Sequence, residues 1–187
     1  MVGIAKPNES PRPNLANGAD RRNVFADAAE GENMAKQSAG LLMFRRRRGA
    51  IELLLVHPGG PYWARKDDGA WSIPKGFVEE GEDTLVAARR EFEEETGQRP
   101  TGQLIALGVF KQPSGKQVNA FAIEGEFDLA SFRSNNFALE WPPRSGRIQE
   151  FPEADRAGWF TPEAALVKIT KGQRPIIQAL LEGLGIG

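Results

Sequence analysis

Three glutamates in the segment DTLVAARREFEEETGQ stand at i, i+3 and i+4: Glu91, Glu94 and Glu95. With 3.6 residues per turn, a helix here gathers their carboxylates on one face. Leu85, Ala88 and Phe92, at i, i+3 and i+7, form an adjoining stripe that reads as core-facing. Like charges at these spacings repel and weaken a helix. A solvated acidic face is the usual meaning of such a run, but two features oppose it here. The carboxylates border the apolar stripe instead of lying opposite it. Between residues 79 and 95, eight acids (Glu79, Glu80, Glu82, Asp83, Glu91, Glu93, Glu94, Glu95) face only Arg89 and Arg90, a local charge of −6. Three carboxylates on one helix face make a hard oxygen site suited to Mg²⁺ or Mn²⁺, and a divalent ion relieves the repulsion.

Elsewhere the composition narrows the chemistry. The 187 residues carry 24 Lys+Arg against 25 Asp+Glu, with 40% hydrophobic and 26% charged residues, which excludes a wholly disordered or fibrous chain. There is no cysteine, so disulfides, thiolate catalysis and Cys-ligated zinc are excluded. A single histidine, His57, argues against a multi-His metal site or a Ser/His triad, and its place at a strand end reads as structural. A net charge of −1 argues against a general nucleic-acid coat. No apolar run approaches the ~20 residues of a membrane span, and MVGIAKPNES lacks the apolar region of a secretory signal. A cytoplasmic chain without membrane contact is therefore expected, its oligomeric state left open.

The elements that must position the carboxylates follow from local signals. Residues 1–37, polar and broken by Pro, Asn and Gly, read as a disordered tail or extension, with a short helix allowed around 24–30. Residues 38–187 read as one domain. Within it, Ala39–Phe44 and Ile51–Val56 form a hairpin with Arg45–Arg48 at its turn. The helix spans Asp83–Thr96, capped by Asp83 or Thr84 and closed by Gly97. Strands follow at Leu104–Lys111 and Asn119–Phe127, then an irregular stretch, Phe132–Ile148. A short extended run ends at Trp159-Phe160, Thr161-Pro162 starts a helix, and a last helix covers Pro175–Leu181. This order predicts an α/β fold with a mixed sheet.

Gly76, Glu82 and the run Arg90-Glu91-Phe92-Glu93-Glu94-Glu95-Thr96-Gly97 stand at the spacing of the Nudix box, which this segment resembles. The one departure is Gln98, where an aliphatic residue is usual. The resemblance implies a Nudix-type α/β/α sandwich over about residues 38–185. It also implies hydrolysis of a nucleoside diphosphate linked to another moiety. On it, Glu91, Glu94, Glu95 and the Lys75 backbone carbonyl are metal ligands, with the general base also drawn from the glutamates. Arg90 orients Glu91, Glu82 supports the site from behind, and Gly76 and Gly97 are structural. Mg²⁺, or Mn²⁺ in its place, would neutralise the pyrophosphate and acidify a water whose proton a carboxylate accepts.

A distal carboxylate is implied in the loop before the last strand. Glu153 is the first choice there, Glu150 the second and Asp155 the third, against a solvated loop of comparable weight. Lys75 is a candidate phosphate contact, and Arg65 and Lys66 are so with no more weight than ordinary exposed residues. Tyr62, Trp63 and Trp71 read first as core residues and second as stacking faces for a base. Gln112-Pro113-Ser114-Gly115 reads as a turn. The lead-in WSIPKG is similar to that of Nudix diadenosine polyphosphate and diphosphoinositol polyphosphate hydrolases. A Mg²⁺-dependent pyrophosphohydrolase of a small anionic nucleotide is therefore expected, with dinucleoside polyphosphates favoured. Its alternatives are ADP-ribose hydrolysis, nucleotide-pool cleansing, diphosphoinositol polyphosphate hydrolysis and a non-catalytic nucleotide-binding module.

Overall fold

The computed structural model describes residues 37–186. The tail expected over residues 1–37 lies, but for Gln37, outside them, as does the short helix allowed around 24–30. Two long apolar strands, β1 (Gln37–Arg47) and β2 (Ala50–Pro58), pair antiparallel from Phe44↔Leu53 to Arg47↔Ala50. Arg48 (φ 52°) and Gly49 (φ 82°) make the two-residue turn, both in the left-handed region such a turn requires. The arginines expected at the turn thus belong mostly to the strand. Arg45 pairs with Glu52 at 2.6 Å and stacks its guanidinium 4.1 Å from the Trp159 ring centroid, so cross-strand partners carry β1 past Phe44.

The remaining strands are β3 (Lys75–Phe77), β4 (Ile105–Lys111), β5 (Gln117–Glu124), β6 (Asn136–Glu140), β7 (Ile148–Pro152) and β8 (Ala154–Phe160). The main sheet runs β4-β5-β1-β2-β8, with β3 added along β1. β1 and β5 are parallel and the other pairs antiparallel, which gives the expected mixed sheet. Period-2 alternation in β1 feeds two cores. Leu42 and Phe44 pack on one face with Ala165, Ile169, Ile176, Ile177 and Leu180. These come from α2 (Pro162–Lys168), the residue that follows it, and α3 (Arg174–Gly183). Leu41 and Met43 face the opposite way, onto Ala87, Ala88 and Phe92 of α1 (Thr84–Thr96). The result is an α/β/α sandwich. No helix among the described residues is long and apolar enough to cross a membrane.

Two readings from sequence need correction. The stretch expected to be irregular contains β6, which pairs with β7 as a hairpin of its own from Asn136↔Pro152 to Glu140↔Ile148. Among the described residues its strands join no other, so no long-range apolar pattern announces them. On α1, Leu85 is 37% exposed, while Ala87, Ala88, Glu91, Phe92 and Thr96 are buried. The first turn is exposed at Leu85 and Val86, and the buried stripe is rotated so that Glu91 lies within it.

Candidate active site

The site begins with how α1 is started and stopped. Asp83 accepts hydrogen bonds from the N–H groups of Leu85 (2.9 Å) and Val86 (3.3 Å), satisfying two of the donors a helix start leaves unpaired. At the other end Gly97, at φ 76°, closes the helix through its N–H to the Glu93 carbonyl at 2.7 Å. β3 brings the lead-in against this helix by pairing Ala39 with Gly76. A Cβ on Gly76 would fall 1.9 Å from a Glu91 carboxylate oxygen. Glycine here gives room for Glu91 to reach the strand; its φ is not positive, so no special backbone conformation is involved.

Arg90 knits the segment together. Its guanidinium donates to both oxygens of Glu82 at 2.9 Å, to Glu91 at 2.7 Å, to Glu94 at 3.2 Å and to the Phe77 carbonyl at 2.8 Å. The fork on Glu82 uses the planar donor geometry that only arginine offers. Arg90, helped by the Glu79 N–H, holds the Glu82 carboxyl down at about 2. Glu82 accordingly faces the arginine and not open solvent.

Lys75, Gly76, Phe77, Glu79, Arg90, Glu91, Glu94, Glu95 and Glu153 line a cleft of about 330 Å³. Glu91, only 8% exposed, has its carboxyl pushed up by burial, with Arg90 opposing and Glu94 and Glu153 adding to it. Glu95 is pushed up to about 8, first by burial, with Lys75 opposing and Glu91 and Glu153 adding. Its carboxylate also accepts the Lys75 backbone N–H. Burial, then Glu94, raises Glu153. Of the three distal candidates, the structure brings Glu153 alone to the cleft. Asp155 is taken by buried His57, whose Nδ1 lies 2.7 Å from it and whose Nε2 lies 2.8 Å from the Lys66 carbonyl. Glu150 lies exposed on β7 and does not line the cleft. Glu153 is placed by backbone bonds. Its N–H donates to the Asn135 carbonyl (2.8 Å), its carbonyl accepts from Gly59 (2.9 Å), and Asn135 N–H donates to the Glu94 carbonyl (3.0 Å).

The donor set suits a hard divalent ion. Among the described residues no three acidic or histidine side chains converge tightly enough, as they stand, to ligate one. Arg90 engages Glu91 and Glu94, and the Lys75 N–H engages Glu95. What fits a cation is the chemistry: five carboxylates around one cleft, three of them with raised proton affinity, each of those three favouring added positive charge.

A larger cleft, about 670 Å³, shares Lys75, Gly76 and Phe77 with the first. Its other walls include Trp63, Gln112, Pro113, Lys116, Thr170 and Lys171. Arg65 and Lys66 line neither cleft; Lys66 places its ammonium 4.5 Å from the Trp63 ring centroid. Of the three aromatic residues, Trp71 is buried as a core residue, Tyr62 is 55% exposed against Trp141 and so is not one, and Trp63 faces the larger cleft. Trp63, Phe77, Lys116 and Lys171 were not legible as a group. They come from separate segments of the chain, and only the Gln112–Gly115 turn beside Lys116 gave any local signal.

Comparison with known proteins agrees with this architecture. A profile of the NUDIX domain matches residues 34–180. An RNA pyrophosphohydrolase of Caulobacter vibrioides is 46% identical over 57 residues, 28% of this chain and 33% of its own length. The asymmetrical bis(5'-nucleosyl)-tetraphosphatase of Sus scrofa is 38% identical over 97 residues, 49% of this chain and 58% of its own. The chain thus spans from a third to under two thirds of these curated relatives. Among solved structures, a C. elegans Ap4A hydrolase in a binary complex superposes with a TM-score of 0.53 at 24% identity, over 80% of this chain and 98% of that one. At that identity the likeness is one of fold. Fold, box and profile agree: the chain belongs to the Nudix hydrolase family.

Proposed function

We propose that this protein hydrolyses a phosphoanhydride bond in a nucleoside polyphosphate, with dinucleoside polyphosphates favoured, and that it does so with Mg²⁺. The observation that carries the reading is the cleft where Glu91, Glu94, Glu95 and Glu153 meet beside Lys75. Such a bond is anionic and kinetically inert, so its hydrolysis depends on charge neutralisation and positioning. When bound, the divalent ion supplies neutralisation of phosphate oxygens and acidification of a water. Glu91, Glu94, Glu95 and the Lys75 carbonyl would hold it. Lys75 places a point charge at the junction of the two clefts, where a bridging phosphate would lie. The base is drawn from Glu95 and Glu153, whose proton affinity is raised and which no arginine among the described residues grips. Arg90 keeps Glu91 and Glu94 from swinging apart. The preference for dinucleoside substrates is supported by aromatic Trp63 and Phe77 in the larger cleft and by the asymmetrical tetraphosphatase among the relatives.

The test is a substrate panel with product masses, run in water labelled with heavy oxygen and titrated with Mg²⁺. It holds bis(adenosyl) tetraphosphate, ADP-ribose, a diphosphoinositol polyphosphate and nucleoside triphosphates. One product should carry the label, bis(adenosyl) tetraphosphate should lead by kcat/KM, and Glu94→Gln should remove most of the rate. Full activity in chelator, or in Glu94→Gln, would overturn the reading.

A further inference from the structure

We propose that Lys116 and Lys171 form a subsite for a phosphate group lying beyond the anhydride that is cut, and so select substrates with an extended phosphate array. This rests on the hydrolase reading above. The two clefts have a common floor at Lys75-Gly76-Phe77 and opposite charge. The smaller is lined by five glutamates, Glu79 among them. The larger is lined by Lys75, Lys116 and Lys171, with no acid among its lining residues. A ligand laid across the floor therefore meets carboxylates at one end and ammonium groups at the other. Carboxylates with a cation suit the bond to be cut, and bare ammonium groups suit phosphate that stays intact.

Neither Lys116 nor Lys171 has a carboxylate partner among the described residues. Lys116 instead holds its ammonium 5.0 Å from the Phe77 ring centroid, over the shared floor. An exposed cation–π contact is weak, so a phosphate can draw the ammonium away. The loops that carry the two lysines are braced against each other. Gln112 donates to the Gly172 carbonyl at 3.0 Å, and a Cβ on Gly172 would fall 2.6 Å from Pro113 Cδ. The Gln112 N–H also donates to the Lys116 carbonyl at 2.8 Å. Little backbone ordering is left for a ligand to impose. ADP-ribose has only two phosphates, both consumed at the carboxylate cleft, and leaves these lysines unmatched. A tetraphosphate chain or a phosphorylated inositol ring places further phosphate there, so the pair discriminates by what lies past the cut.

The experiment compares kcat/KM of wild type, Lys116→Ala, Lys171→Ala, the double variant and Lys116→Arg. The substrates are bis(adenosyl) tetraphosphate, a diphosphoinositol polyphosphate and ADP-ribose. For the double variant we expect the preference for a polyphosphate over ADP-ribose to fall at least 10-fold, mostly through KM, with Lys116→Arg keeping most of it. A fall confined to the dinucleotide or to the inositol compound supports the proposal and names the source of the phosphate. An unchanged ratio overturns it, whether or not overall rates drop. If the wild type cleaves none of these, the hydrolase reading fails separately. Calorimetric binding of inorganic tripolyphosphate then decides: loss of binding in the double variant supports the subsite, and equal binding overturns it.

Discussion

Replacing Glu95 by glutamine should make the metal-free protein more stable at alkaline pH. Burial, with Glu91 and Glu153 adding to it, pushes the Glu95 carboxyl from an ordinary 4.5 up to about 8. The folded state therefore holds a proton that the unfolded chain releases above 4.5. Stability is greatest below 4.5 and falls as pH rises through about 8, because across that window the native state binds more protons. At ~1.4 kcal/mol per pH unit the full interval is worth about 5 kcal/mol. Glu95 is only partly shielded from solvent, and Glu91 and Glu153 share the proton, which leaves on the order of 2 kcal/mol to be observed. Glutamine matches the protonated carboxyl in shape and cannot ionise. Urea unfolding in chelator at pH 6 and pH 8.5 reads the effect. Wild type should lose roughly 1 kcal/mol between the two pH values, the part of the interval from 6 to about 8, and Glu95→Gln much less. Equal losses would refute the placement of a strained carboxyl at Glu95.

Three further outcomes follow from the same geometry. Gly76→Ala puts a methyl 1.9 Å from the far end of a flexible side chain, Glu91; it should cost only about 1 kcal/mol of stability yet lower kcat at least ~10²-fold, read by unfolding and by turnover. Arg90→Lys loses the fork on Glu82, so the Glu82 carboxyl should rise from about 2 toward 4.5 in a carbon NMR titration, and the stability it gives above 4.5 should fall by roughly 1–3 kcal/mol. Gly59→Ala would place Cβ 1.9 Å from the Pro152 carbonyl oxygen, next to Glu153, and should lower kcat. Because that loss runs through Glu153, the same change made in Glu153→Gln should cost far less, and additive losses would argue against the coupling.

The parts of the site that read directly from sequence are those set by local spacing. Glu91, Glu94 and Glu95 share a face because one helix carries them, and Asp83 and Gly97 mark its ends by their own backbone chemistry. The mixed sheet followed from strand-length apolar runs and short turns. Where the helix faces was less legible. Leu85 fits the apolar period but stands exposed, and Glu91 takes a buried place that its charge disguises. Choosing among Glu150, Glu153 and Asp155 needed two facts absent from local pattern. Asp155 is held by buried His57, and the β6–β7 hairpin returns the chain so that Glu153 meets Asn135 beside α1. The lysine cleft was hidden for a similar reason, since Lys116 and Lys171 come to line one cleft through the packing of Gly172 on Pro113 and the hydrogen bond from Gln112 to the Gly172 carbonyl.

A net charge of −1 conceals two opposed fields, and the fold maintains them at a cost to its own stability. Glu91, Glu95 and Glu153 all bind protons more tightly than isolated carboxylates do, first through burial and then through neighbouring carboxylates, so the metal-free cleft is held together against the cost of burying charge and against its own repulsion. What opposes that repulsion is not concentrated in the cleft. The Arg90 fork anchors the helix side to Glu82, and Asn135 ties the Glu94 carbonyl to the Glu153 N–H through main-chain bonds. Gly76 and Gly59 remove the side chains that would otherwise push Glu91 and Pro152 away. Relaxation by drifting apart is blocked on each side, so the remaining ways to lower the energy are to take up protons or a divalent cation. On the proposed function, a cleft built in this way would bind a cation without yielding its backbone, which is the preorganisation that phosphoanhydride hydrolysis requires.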